Sequence, residues 1–219
     1  MSKHRLLFIL AMSMLFANWA TGLQTTLTWS VGKDSITFKE LVTASGKGFS
    51  ATISSSVGEF DSLLLDANRS TLEWRRSVPG ERTEIVATRN GGQLLVKGTY
   101  KGKPYDAKVD VGELPWYQFQ EISYERFFES GESSASFWTM DRKTLKPSLF
   151  KAEKVERVSI PIMDNLVKSI KYDLTIGGIP SFLFKAHFWI RESDGRFLKL
   201  EVPPILNLPR SVVELRHES

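Results

Sequence analysis

His187 is the side chain of this sequence best placed for chemistry, because the other two histidines lie near the ends of the chain. In the strand predicted around it, alternation puts His187 on one face with Lys185, Trp189 and Arg191. Such a face could bind an anionic head group, and the imidazole could act as a base. A solvated strand histidine is the simpler interpretation. No Asp, Glu or second His lies at a metal-ligand spacing from His187, so we predict no metal site.

One glycine pattern resembles a cofactor motif without completing it. Gly46-x-Gly48-x-x-Ala51 resembles a dinucleotide fingerprint, which requires a helix N terminus after the glycines. Residues 49–54 alternate like a strand, which favours a hairpin turn and predicts no cofactor. No serine lies in a Gly-x-Ser-x-Gly elbow, so the nucleophile motif of the α/β-hydrolases is absent.

Glu121, Glu125 and Glu129 recur at the i, i+4 spacing of a helix. Paired carboxylates can perform acid–base chemistry. A row of like charges on one helix is more typical of a solvated face. The sequence therefore displays no convergent catalytic pair, and we expect a binding or interaction protein rather than an enzyme.

The composition excludes several classes of function. The chain has 219 residues and no cysteine, which excludes disulfides, thiol catalysis, zinc–thiolate sites and anchoring through an acylated cysteine. The formal net charge of +4 falls to +2 without Lys3 and Arg5 of the predicted leader. Because Lys and Arg are interspersed with Asp and Glu, no concentrated basic face is predicted, and we expect no nucleic-acid partner.

Residues 1–22 have the three parts of a signal peptide. Lys3 to Arg5 are basic, residues 6–16 are apolar, and Ala20 to Gly22 offer small residues for cleavage. We predict cleavage after Gly22, with Ala20 as the alternative cleavage site and an uncleaved membrane anchor as the alternative fate. The predicted location is periplasmic or secreted, with residues 23–219 as a single β-rich domain.

Turn signals recur at short intervals along the rest of the chain, with alternating runs between them. Asn90-Gly91-Gly92, Gly177-Gly178 and Ser193-Asp194-Gly195 are examples of hairpin signals. Many short strands of this kind form an antiparallel meander, which must close or cover its edges. The predicted fold class is therefore mainly all-β, an antiparallel meander that forms a barrel or a strongly curled sheet.

The segment from Trp116 to Glu129 breaks this pattern, because its apolar residues are spaced as in a short helix. Pro115 stands where such a helix would begin, and Gly131 follows its end. We predict a short helix or irregular connection that plugs or covers the sheet near the middle of the chain.

The aromatic residues suggest a ligand cavity, since a closed sheet of about eight strands can hold one small molecule. The predicted wall consists of Trp74, Phe137, Trp138, Phe182, Phe184 and Phe188. The polar residues expected near a head group are Lys185, His187 and Arg191, with Trp189 beside them. The alternative is that the aromatic residues simply fill the core.

Three segments carry a resemblance to a known group of proteins. They are Pro115-Trp116-Tyr117-Gln118, the hairpin from Phe137-Trp138 to Leu145-Lys146, and Phe188-Trp189-x-Arg191-x-Ser193-Asp194-Gly195-x-Phe197-Leu198-Lys199. From Trp74 to Leu215 the chain resembles uncharacterised bacterial periplasmic domains of unknown function with a lipocalin-like architecture. The resemblance implies a Gram-negative envelope setting and carries no catalytic residue.

Two hypotheses for function follow. The first is an exported periplasmic module that holds a lipid or other apolar ligand in a barrel-like cavity. The second is a structural or protein-interaction component of the cell envelope without a small-molecule ligand. Neither hypothesis requires a membrane span once the leader is removed.

Overall fold

The computed structural model describes residues 22–125, 131–181, 184–204 and 209–219. Apart from Gly22, the predicted leader lies outside this part of the chain. The signal peptide and its cleavage therefore stay predictions.

Within the described residues the chain forms one antiparallel sheet of 14 strands, with a short helix between the eighth and ninth strands. This result confirms the predicted all-β class. The elements are β1 (Leu23–Val31), β2 (Asp34–Ser45), β3 (Gly48–Ser55), β4 (Phe60–Leu65), β5 (Thr71–Val78), β6 (Thr83–Asn90), β7 (Gln93–Tyr100), β8 (Lys103–Asp110), α1 (Gln120–Ser123), β9 (Ser134–Met140), β10 (Pro147–Ile162), β11 (Asn165–Ile176), β12 (Ala186–Arg191), β13 (Phe197–Val202) and β14 (Ser211–Glu218).

The sheet consists of two meanders that meet at its centre. β1 to β8 follow one another to one edge, and β14 back to β9 follow one another to the other edge. β1 and β14 pair antiparallel between them, with Trp29 opposite Val213. β8 and β9 remain edges, so strand pairing does not close the sheet. Because every strand contributes to one hydrophobic core, the sheet must curl around its own inner face, as predicted.

The glycine turns have the backbone that hairpins require. Gly91 and Gly195 have φ values of 57° and 73° at the β6–β7 and β12–β13 turns. Gly46, with φ of 59°, lies in the β2–β3 turn and not before a helix. The hairpin interpretation of the Gly46 and Gly48 pair is therefore confirmed.

The connection after β8 returns to the opposite edge of the sheet. The backbone N–H of Tyr117 donates to the Trp138 carbonyl at 2.8 Å, and the N–H of Trp138 donates to the Pro115 carbonyl at 2.8 Å. On its other side, the Trp116 carbonyl accepts from the N–H of Thr71 at 2.7 Å. This segment thus links edge strand β9 to the start of β5.

The chain then enters the interior of the curled sheet. Phe119, Ile122 and Tyr124 are buried there, and the Tyr124 ring stacks on Phe188 with centroids 3.8 Å apart. The predicted plug is therefore confirmed. Its helix begins at Gln120 and not at Pro115, because the backbone of residues 115–117 is committed to hydrogen bonds with strands. Phe127, Phe128 and Glu129 lie outside the described residues.

Candidate ligand-binding site

A cavity of about 260 Å³ lies at one end of the curled sheet, under the turn between β9 and β10. We call it the Arg142 cavity. Val213 of β14 lies on its wall, paired with Trp29 of β1 on one side and Leu200 of β13 on the other. Most of its wall is apolar. Its lining residues are Trp29, Phe38, Gln118, Phe119, Glu121, Arg142, Leu200, Val202, Ser211 and Val213.

The β9–β10 turn holds Arg142 over this cavity. Asp141 organises the turn, because its Oδ1 accepts from the backbone N–H of Lys143 at 2.9 Å and of Thr144 at 2.6 Å. The Arg142 guanidinium lies 5.4 Å from the ring centroid of Phe38 and 5.0 Å from that of Phe119. The cation is thus held between two aromatic faces, which attract it through their quadrupoles.

Arg142 is incompletely paired. Its Nη1 is buried without a hydrogen-bond partner among the described residues, and the nearest carboxylate oxygen, Asp61 Oδ2, is 3.6 Å away. Asp61 is already engaged, since it accepts from Trp74 Nε1 and from Arg76 Nη1 at 2.8 Å each. The ion pair of Asp61 and Arg76 is therefore structural, whereas Arg142 retains donor capacity at the cavity.

A second, smaller cavity of about 30 Å³ lies behind the first, and Glu121 lines both of them. We call it the Glu40 cavity. Glu40 Oε2 accepts from the Thr25 hydroxyl at 3.0 Å, but its Oε1 is buried without a partner among the described residues. Burial, together with the nearby carboxyl of Glu121, raises the pKa of Glu40 to about 8. A space of this size suits an ordered water.

The acidic side chains of the plug do not form the solvated face expected for them. Burial raises the pKa of Glu121, which favours its neutral form. Glu125 forms an ion pair with Arg69, and its side chain is only 12% exposed. The expectation failed because α1 lies inside the curled sheet, so that both carboxyls line the Glu40 cavity. The third residue of the row, Glu129, is not described.

The sequence-predicted aromatic wall lies mostly in the packed interior. Trp74, Phe137 and Phe188 have no exposed surface, and Phe184 is partly buried against the same core. Phe182 lies outside the described residues. Neither the Arg142 cavity nor the Glu40 cavity is lined by any of the four that the structure describes.

The predicted polar residues lie on the opposite face of the sheet. In β12 His187 and Arg191 lie on the face opposite Phe188 and are partly exposed, and Lys185 precedes the strand. Trp189 shares the face of His187 by alternation but is buried. Asp173 accepts hydrogen bonds from Lys185 Nζ and pairs with His187 Nδ1, at 2.8 Å each. Although burial opposes the change, these two partners lower the pKa of Asp173.

The neighbouring outward side chains are also engaged. Arg191 bonds Asp194 at 2.8 Å and Glu218 at 2.6 Å. Trp189 is 9% exposed. Trp138 likewise lies opposite Phe137 across β9. The structure thus separates the predicted aromatic wall from the predicted head-group residues, and a role for them in ligand binding stays a prediction.

Sequence reasoning missed Arg142, Glu40 and most of the cavity wall. One signal was present for Glu40. In β2 it occupies the apolar face between Phe38 and Val42, where a charged residue has no local reason to be. Arg142 gave no such signal, because it lies in a polar turn.

A larger depression of about 560 Å³ lies beside the edge connection, lined in part by Asn68, Leu72, Leu114 and Glu132. These four residues are exposed. The depression is therefore a surface groove, and it buries a small apolar molecule less well than the Arg142 cavity.

The fold and its end cavity define a β-barrel-like class of protein. A β-barrel-like protein of the domain of unknown function DUF1849 from Brucella abortus is similar in structure, with a TM-score of 0.57 and 10% identity over 91% of this chain and 97% of that chain. The hypothetical lipoprotein YmcC from Escherichia coli (K12) gives a TM-score of 0.40 and 7% identity over 92% of this chain and 89% of that chain. No protein-family model and no curated protein sequence matches the chain. The Brucella match supports the predicted likeness to uncharacterised bacterial β-barrel-like proteins, and it concerns the fold alone.

Within the described residues, no helix has the length and apolar character needed to cross a membrane. The same part of the chain contains no cluster of three or more His, Cys, Asp or Glu side chains arranged to hold a metal ion.

Proposed function

We propose that this chain is an exported envelope module that binds a small apolar or amphipathic molecule in the Arg142 cavity. The observation that carries the proposal is a cavity of about 260 Å³ with a mainly apolar wall that includes one incompletely paired cation. A few polar groups that orient a ligand among apolar walls are typical of small-molecule sites. The export setting rests on the predicted leader and remains part of the proposal.

The size of the cavity limits the ligand. At ~30 Å³ for each non-hydrogen atom, as for water in the liquid, the cavity holds about nine such atoms. The ligand is therefore a small molecule or one end of a longer chain. Its affinity comes chiefly from apolar surface removed from water, at roughly 25 cal/mol per Å².

A cavity-filling substitution tests the proposal. Val213→Phe places a larger side chain on the cavity wall, and we expect it to abolish binding of octanol, a neutral probe with about nine non-hydrogen atoms, in titration calorimetry. Leu64→Phe is the control, because Leu64 is 42% exposed on β4. Equal probe binding by the wild type and Val213→Phe, both folded by circular dichroism, would contradict the proposal.

Native mass spectrometry of the chain, purified from the envelope without detergent, provides an independent test. A discrete extra mass that extracts into organic solvent supports the proposal and identifies the ligand class. A clean unliganded mass favours the second candidate function, a structural or protein-interaction component.

A specific feature supports that second candidate. The β10–β11 hairpin extends beyond its neighbours, because β9 pairs only with residues 147–153 of β10 and β12 only with residues 169–174 of β11. Near its tip, Leu166 is 75% exposed and Met163 is 49% exposed. An exposed apolar hairpin of this kind is suited to contact a partner chain.

A further inference from the structure

We infer that the ligand of the Arg142 cavity carries one anionic oxygen group, a carboxylate or a phosphate monoester, which binds the Arg142 guanidinium while its hydrocarbon part fills the cavity. This inference rests on the proposed function and specifies the charge of the ligand. It is supported by the unpaired donor of Arg142, by the charges of the groups that line the cavity and by the mainly apolar wall.

Arg142 has unused hydrogen-bonding capacity. A guanidinium has five N–H donors, and burying a donor without an acceptor is unfavourable. Nη1 is such a donor, with Asp61 Oδ2 at 3.6 Å, beyond ordinary hydrogen-bond distance. Both oxygens of Asp61 are occupied by Trp74 and Arg76, so Asp61 cannot turn fully towards Arg142. An anionic oxygen in the cavity would supply the missing acceptor.

Few of the groups that line the cavity carry a charge. Besides Arg142, the ionisable side chain on its wall is Glu121 of α1, as far as the described residues show. Burial raises the pKa of Glu121, so this carboxyl offsets the cation less than an exposed carboxylate would, and in its protonated form it donates a hydrogen bond to an anion. An ionised Glu121 would instead favour an amine, and the two cases predict opposite ligand preferences.

Apolar side chains from several strands line the cavity together with Arg142. Arg142 and Glu121 belong to the turn and the plug, whereas Trp29, Leu200 and Val213 belong to three adjacent strands. An aliphatic chain beside these strands would bury its surface while its head group met Arg142. At ~30 Å³ for each non-hydrogen atom, a hydrocarbon chain of about eight carbons by itself nearly fills a volume of about 260 Å³.

The experiment compares four probes that share an octyl chain: octanoate, octyl phosphate, octanol and octylammonium. Titration calorimetry with the purified chain at neutral pH should show either anion binding about tenfold or more tightly than octanol, because charge-assisted hydrogen bonds exceed neutral ones. Octylammonium should bind least. The tighter of the two anions distinguishes a carboxylate ligand from a phosphate ligand.

Arg142→Gln should reduce the affinity for the preferred anion by about tenfold or more and so remove most of its advantage over octanol. Arg142→Lys, which keeps the charge, should retain a preference for anions. Arg75→Gln is the matched control, because the Arg75 side chain is 61% exposed on β5. If Arg142→Gln does not fold, the preference of the wild type for anions over octanol still decides the question.

The outcomes distinguish failure of the charge inference from failure of the proposed function. Octanol binding without a preference for either anion, or an anion affinity unchanged in folded Arg142→Gln, overturns the charge inference and leaves the proposed function standing. Tightest binding of octylammonium also overturns it. Failure of all four probes to bind the folded chain contradicts the proposed function itself, and the charge inference with it.

Discussion

Glu40 is a buried carboxyl whose protonation affects the stability of the fold. It is 5% exposed on the apolar face of β2, and its Oε1 is buried without a partner among the described residues. An ionised carboxylate in such a place is strongly unfavourable, and this cost is why its pKa rises to about 8. The residue therefore makes stability depend on pH.

The direction of this dependence follows from proton counting. Unfolded Glu40 titrates near 4.5, whereas the folded chain keeps its proton to about pH 8. Between these values the folded state binds more protons, so the free energy of unfolding falls as pH rises, by about 1.4 kcal/mol for each unit. The Glu40→Gln variant has no carboxyl at this position to titrate, so this part of the fall in its free energy of unfolding disappears. We expect the variant to gain stability relative to the wild type as the pH of urea unfolding rises from about 5 to about 8.

Glu84→Gln is the control for this experiment, because Glu84 is exposed on β6. Its difference from the wild type should be small and should change little with pH. A difference between Glu40→Gln and the wild type that is the same at both pH values would show that Glu40 is ionised in the folded chain.

At the scale of elements, the plug determines whether the curled sheet has a solid core. Tyr124 stacks on Phe188, and Phe188 stacks in turn on Tyr172 of β11, with centroids 4.9 Å apart. Ser123 Oγ donates to the Arg69 carbonyl at 3.0 Å and thereby ties the plug to the β4–β5 turn. Contacts in several directions hold a four-residue helix that would not be stable alone.

Tyr124→Ala tests the contribution of the plug. Removing a fully buried aromatic ring typically costs about 3–5 kcal/mol, and we expect a loss of this order in the free energy of unfolding measured with urea. Tyr105→Ala is the comparison, because Tyr105 lies partly exposed on edge strand β8 and should cost less. Similar losses in both variants would indicate that the plug contributes little to the stability of the core.

At the scale of the whole molecule, the strand order places the first and last described strands, β1 and β14, side by side near the centre of the sheet. β1 and β14 are separated by nearly the whole chain yet pair along their lengths, with seven pairs from Thr25 with Glu218 to Val31 with Ser211. The edges, β8 and β9, come from the middle of the sequence. Opening the sheet at its centre therefore requires global unfolding, whereas the edges can open locally.

Hydrogen exchange measures this difference directly. We expect amides of β1 and β14 to exchange at the slow rate set by global unfolding, and amides of β8 to exchange faster, because among the described strands β8 has a partner on one side alone. Peptides covering residues 23–31 and 103–110 give the comparison by mass spectrometry. Equal or slower exchange of β8 would indicate that its edge is covered in solution.

The strand class and the hairpins could be predicted from sequence because they depend on neighbouring residues. Alternation fixes which residues share a face, as in β12, where Ala186, Phe188 and Ile190 are buried together. Glycines that accept positive φ fix the turns, as at Gly91 and Gly195. The aromatic spacing from Trp116 onward likewise revealed the plug.

The candidate site could not be predicted, because its parts are brought together only by the tertiary fold. Arg142 reaches Phe38 and Phe119 from a turn distant in sequence, and Glu121 is partly buried because α1 lies inside the sheet. Strand alternation likewise places His187 and Phe188 on opposite faces of the sheet, although they are adjacent in sequence. The residues predicted to form one ligand site are therefore divided between the two faces. The sequence by itself determined an antiparallel meander with an internal plug. The tertiary structure alone decided the pairing of β1 with β14 and which charges are buried, since both depend on contacts between residues far apart in the chain.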